Sequence, residues 1–267
     1  MKIAETLNAS NEFEIRFANG AVVRQTNLMK QDRQSGAGHY FGAAVDAVSD
    51  YMEAAAAIGL DDNLSAAGRV RKLEPLVNAA VRTVSACAAE VERVAAALDA
   101  RYAALVAVPE LAAGNFADTM KDVEIRQWWR SLSIAERGDT LRAIQAGPEF
   151  QRIELALLRS PVLIADHELQ VVRSAWDKAK CDDNPGESID IAAGRAVVEW
   201  ARRGLAQVAG VLVASLDADV WPARRILAAV LAGNERQSAG YRVFGFGALD
   251  AAAVSREQAQ RAATAPA

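Results

Sequence analysis

The chain has 267 residues, of which 52% fall in the hydrophobic set and only 6% are aromatic; 58 are alanine, well above that residue's usual share. Two His and two Cys leave little scope for a zinc site of sulfur and imidazole ligands and none for a disulfide scaffold, and two Cys in so long a chain suggest a reducing compartment. Thirty basic residues against thirty-four acidic ones leave a formal charge of -4, and no run of Lys and Arg stays free of acids, so nucleic acid is not an expected partner.

The opening Met1-Lys2-Ile3-Ala4-Glu5-Thr6 lacks the charged-then-apolar order of a signal peptide. Phe13, Ile15 and Phe17 then alternate with Glu14 and Arg16, the period of a half-buried strand. Asn19-Gly20 and Ala21-Val22-Val23 follow, which predicts a β-hairpin whose two turn residues tolerate positive φ. A lone hairpin is marginal in water, so it should pack on something. Residues 25–38 are polar and read as a connection, with His39 and Tyr40 at its end.

From Tyr40 onward the pattern is helical. A first helix over 41–60 stops at Gly59, before Asp61-Asp62-Asn63. Ser65 can cap a short helix running into Pro75, and a long helix is expected from Pro75 to Val106, because proline suits a first helical turn. Along it Leu76, Ala80, Val84, Cys87, Val91, Val94, Leu98, Tyr102 and Leu105 recur at steps of three and four, a coiled-coil-like seam. Ala86, Ala89, Ala96, Ala100 and Ala103 lie opposite, which predicts packing on two sides, within a bundle or at a subunit contact.

Pro109, Gly114 and Asn115 mark a boundary. Short helices are expected over 119–132, from Ser133 to Gly147-Pro148, up to Arg159, and from Asp166 to Lys180. The second opens on a capping box, Ser133 with Glu136. Cys181 to Gly186 reads as a loop by composition, and a second long helix covers 188–216. Its stretch Gly204 to Leu216 is apolar but, at 13 residues, short of the roughly 20 that a membrane span needs. Pro222 opens a further helix ending at Gly233. The fold class expected is mainly α: a helical bundle with two long helices and a cluster of short helices, plus a small N-terminal β-hairpin. The divisions are 1–38, an arm with the hairpin; 39–108, a long-helix region; 109–238, a helical bundle; and 239–267, a docking tail.

No constellation fixes a reaction. Gly245-Phe246-Gly247-Ala248-Leu249-Asp250 resembles the opening of a dinucleotide fingerprint, but too little chain follows for a βαβ unit. Asp166-His167-Glu168 lie consecutively at a helix start and point in different directions. Cys87 falls on the apolar seam, while Cys181 sits among carboxylates that disfavour a thiolate. Asp61-Asp62 and Asp182-Asp183 lack the alternating ligand spacing of a calcium loop. Hence the chain is expected to be no enzyme, with no catalytic, cofactor-binding or metal-binding residue, no cofactor and no small-molecule substrate. Contact residues are the better candidates. Trp128 and Trp129 are adjacent on a helix and point about 100° apart, so one should lie near the surface or in an interface. Tyr241, Phe244 and Phe246 mark the tail as a docking segment.

Three segments taken together resemble a group of uncharacterised helical proteins encoded in tailed-phage and prophage genomes, often near structural genes. They are Glu124-Ile125-Arg126-Gln127-Trp128-Trp129-Arg130-Ser131-Leu132, then Glu136-Arg137 with Leu141, then Ala156-Leu157-Leu158-Arg159-Ser160-Pro161. Val162-Leu163-Ile164-Ala165 stands where the group carries "GL" after the proline corner. The resemblance implies a protein of the virion or its accessory set and assigns no catalytic residue. Two functions follow. One is a non-enzymatic structural or assembly protein, a capsid-, neck- or tail-associated virion component contacting other subunits, its own copies or virion proteins. The other is a soluble intracellular interaction protein made during infection that binds a host factor. The expected location is the virion if phage-encoded and otherwise the cytoplasm, with no membrane partner.

Overall fold

The computed structural model describes residues 4–7, 12–26, 36–161 and 164–216. The chain is mainly helical, with a small N-terminal antiparallel sheet. The strands are β1 (Ala4–Leu7), β2 (Glu12–Arg16) and β3 (Val22–Thr26). The helices are α1 (Gly36–Gly59), α2 (Ala66–Leu105), α3 (Phe116–Ser131), α4 (Ile134–Ala146), α5 (Gln151–Arg159), α6 (Asp166–Asp183) and α7 (Pro185–Ser215). A single 3-10 turn, Pro148–Phe150, precedes α5. The described residues form two compact units, one from 4–97 and 193–216, the other from 98–192. Both cuts fall inside long helices, α2 and α7, so chain turns and compact units do not coincide.

In the first unit the expected hairpin is present, as β2 and β3, and β1 extends it to three strands in the order β1-β2-β3. Ile15 stands opposite Glu5 on one side and Val23 on the other. The turn is longer than the two-residue one expected. Gly20 N–H donates to the Phe17 carbonyl and Phe17 N–H to the Ala21 carbonyl, both at 2.9 Å, so Ala18, Asn19 and Gly20 form the loop. Gly20 takes the left-handed position at φ +82. Such a three-residue loop is the next commonest hairpin solution. Asn19 Oδ1 accepts from Ala21 N–H at 3.0 Å and braces it.

The hairpin does pack on something. Ile15, Phe17 and Val23 are buried. Arg24 faces Glu14 in the register. That pair is not mutually hydrogen-bonded, so the Arg24 backbone groups point outward from the edge strand. Gln207 of α7 takes both: its Oε1 accepts from Arg24 N–H and its Nε2 donates to the Arg24 carbonyl, each at 2.9 Å. One outward-facing pair of backbone groups on the edge strand is thereby satisfied by a helix side chain.

α1 buries Phe41, Ala44, Val45, Val48 and Met52, at helical spacing. The Phe41 ring meets Trp200 of α7 edge-on, with centroids 4.7 Å apart. Gly204 makes room for it, since a Cβ there would lie 2.5 Å from Phe41 Cε2.

α2 corrects the expected helix start. It begins at Ala66, nine positions before Pro75, and the proline lies inside it. Ser65 Oγ accepts from Gly68 N–H at 3.1 Å, capping the first turn. The burial of Val77, Ala80 and Val81 immediately after Pro75 holds the segment helical across the missing donor. Ala80, Val84, Cys87, Val91 and Leu98 of the expected seam are buried, joined by Val77, Val81 and Ala88. The alanine row behaves otherwise. Ala86, Ala96, Ala100 and Ala103 are exposed and Ala89 is half-buried, so the described residues leave this face of the helix uncovered.

The second unit is built from α3 to α6 and their connections. Its core joins Trp129, Ile144, Leu157 and Val172, with Leu132, Leu141, Phe150, Ile153, Leu158, Ile164 and Ala175 packed around them. Asn115 caps α3 three positions earlier than expected, its side chain accepting from Asp118 N–H. The capping box at Ser133 is present: Glu136 Oε2 accepts from Ser133 N–H at 2.7 Å while Glu136 N–H donates to Ser133 Oγ at 3.4 Å. The residues from Cys181 to Gly186 form no loop. α6 runs on to Asp183, Asn184 alone breaks the helix, and α7 restarts at Pro185. Proline at the first helical position lacks only an N–H that would have stayed unpaired, so one residue suffices for the break.

Candidate interaction surface

α3 presents two chemically distinct sides. Toward the core it turns Trp129, only 1% exposed, and Asp122, also 1% exposed. The Asp122 carboxylate is held by two guanidinium groups of α5, Arg152 at 2.6 Å and Arg159 at 3.1 Å. Those groups reach further: Arg152 Nη2 donates to the Asp118 carbonyl at 3.0 Å, and Arg159 Nε to the Pro109 carbonyl at 2.8 Å. Arg126 returns the favour by donating to the Ala156 carbonyl of α5 at 3.1 Å. A buried anion with two cations and shared backbone acceptors is a clamp between helices. It offers no nucleophile and no free base.

Away from the core, the same helix exposes Phe116 (79%), Met120 (58%) and Trp128 (41%). Phe116, Met120, Glu124 and Trp128 are spaced by four, so they wind slowly across one side of the helix. Ala117, Lys121, Gln127 and Ser131 are exposed beside them. The adjacent tryptophans thus part ways. Trp129 is core and unavailable to a partner, while Trp128 leans on it edge-on at 6.5 Å and keeps its outer side open. Phe116 escaped sequence reading because a helix begun at 119 leaves it outside, and without it Met120 is a lone apolar residue near a helix end. Extending the 100° rotation back to Asn115 places Phe116, Met120, Glu124 and Trp128 on a series that advances 40° at each step across the outward side.

The remaining candidates fall apart on geometry. His167 is exposed, whereas its neighbour Glu168 is buried, accepting from Ala165 N–H at 3.3 Å and pairing with Arg137 at 3.3 Å. Cys87 is buried, and burial followed by the Glu90 charge pushes its thiol up to about 11, which suppresses the thiolate. Glu154 is 3% exposed, its Oε2 has no hydrogen-bond partner among the described residues, and burial raises its carboxyl above the ordinary range, partly opposed by Lys180. Among the described residues no group of three His, Cys, Asp or Glu side chains could hold a metal ion. No described helix is long and apolar enough to cross a membrane. Tyr241, Phe244, Phe246, the glycine-rich bend they belong to and the helix expected from Pro222 lie outside the described residues. No protein-family model, curated protein or solved structure matches the chain.

Proposed function

We propose that the chain is a non-enzymatic structural or assembly protein, acting through helix-mediated contacts with other protein subunits as a component of a tailed-phage virion. The observation that carries the first half of this reading is the outward side of α3, where Phe116, Met120 and Trp128 stand open on a helix anchored from behind by Trp129 and the Asp122 clamp. Tryptophan and methionine are over-represented where proteins meet, and an anchored helix presents them without an ordering penalty. The uncovered alanine row of α2 adds a second place where a helix could approach closely. The virion half rests on the resemblance carried by 124–161.

Mass spectrometry of washed particles, produced from the genome that encodes the chain, tests the reading. It predicts the protein at a stoichiometry comparable with other minor virion proteins. Its absence from the particles would contradict the virion role and favour a soluble protein that binds a host factor during infection.

A further inference from the structure

We propose that the outward side of α3 pairs with the same side of a second copy of this chain, antiparallel about a two-fold axis. This step rests on the assembly reading above and names the partner of its contact surface. An isologous contact requires a patch that is complementary to itself. The α3 patch meets that condition in charge. When the helix is turned end for end about a point between Asp122 and Val123, Lys121 falls opposite Glu124 of the partner subunit. The two-fold axis repeats the pair, so two opposite-charge contacts form from one arrangement. A parallel arrangement would instead set Lys121 on Lys121 and Glu124 on Glu124, and charge alone selects against it.

The sizes fit the same register. Ala117 falls opposite the partner's Trp128, so the largest exposed side chain on this side of the helix meets the smallest, again twice. Small-against-large pairing lets two helices approach while the indole stays in contact. Met120, next round the helix from Glu124, borders this centre and loses exposure with it, and a thioether beside an indole is itself a favourable contact; Phe116, about 110° round from the centre, stays outside the pairing. Lys121 already lies 3.5 Å from Asp118 Oδ1, and an ammonium with three donors can keep that neighbour while it reaches Glu124 across the axis. All of the residues involved are exposed, so none needs to leave the core for the pairing to form.

The test is sedimentation of the full chain from low to high micromolar concentration, with thermal melts to show that each variant remains folded. Wild type is expected to pass from one chain mass to two. Lys121→Glu and Glu124→Lys should each raise the dimer dissociation constant by about tenfold or more, because two like-charge contacts replace two attractive ones. An equimolar mixture of these two variants should recover near wild-type association as a heterodimer, since each then supplies the sign the other lacks. A wild-type chain that stays monomeric, a dimer indifferent to either reversal, or a mixture that fails to recover would each overturn the proposal. A monomeric chain that is nonetheless found in washed particles would overturn self-pairing alone and leave the assembly reading standing.

Discussion

Individual side chains in the second unit are held by unequal forces, and burial decides which of them matter. Asp122 sits between Arg152 and Arg159, and its loss would strand guanidinium groups, one of them well buried, without their counter-ion. Asp122→Ala is expected to cost roughly 3 kcal/mol, the usual scale for removing one partner of a buried ion pair. Asp139, paired with Arg142 at the surface, is the control, and its alanine variant should shift stability by less than about 1 kcal/mol. Urea midpoints of the two variants provide the comparison; equal shifts would refute the clamp. Glu154 is the opposite case, a buried carboxyl with an unpartnered oxygen whose protonation is favoured by burial. Because its folded pKa is raised, the folded state holds the extra proton as pH climbs out of the ordinary carboxylate range. Stability therefore falls with rising pH through that window. Glu154→Gln should be more stable than wild type at neutral pH, and the difference should vanish once the solution is acid enough to protonate the carboxyl in the unfolded chain as well. A constant difference across the range, followed by thermal melts, would count against this.

Elements were legible where one local signal dominated. Alternation at 13–17 with Asn19-Gly20 located β2 and β3, and Ser133 with Glu136 located the start of α4. β1 escaped because Ala4-Glu5-Thr6-Leu7 has too few residues to show a period, and only pairing with β2 defines it. The two proline errors have opposite causes. Pro75 suggested a helix start, yet burial of the next turn overrode the lost hydrogen bond. Pro185 did mark a start, but the acidic composition before it suggested a loop where α6 continues to Asp183. Composition speaks of solvation, and an exposed helix end is equally well solvated. Packing between elements was invisible to periodicity altogether. Gly204 reads as one more small residue, although the Phe41 ring depends on its missing side chain. Gly204→Ala should destabilise by about 1 to 3 kcal/mol through overpacking, despite alanine's better helix propensity. Calorimetry giving a raised melting temperature would contradict that placement.

At the scale of the whole molecule, the alanine excess and the tryptophans exchanged importance. The row from Ala86 to Ala103 was the expected second packing surface, and the described residues leave it open. The adjacent tryptophans proved the better guide, since their 100° separation put Trp129 in the core and Trp128 outside it, and so oriented α3. The division into two units was out of reach of any turn signal, because its cuts lie within continuous helices. Hydroxyl-radical footprinting of the full chain, diluted and concentrated, tests the contact surface on α3 most directly. Met120 and Trp128 should be labelled when dilute and protected when concentrated, with Leu60 and Ile189 labelled in both and Trp129 in neither. Equal labelling of Met120 and Trp128 at the two concentrations would contradict the account.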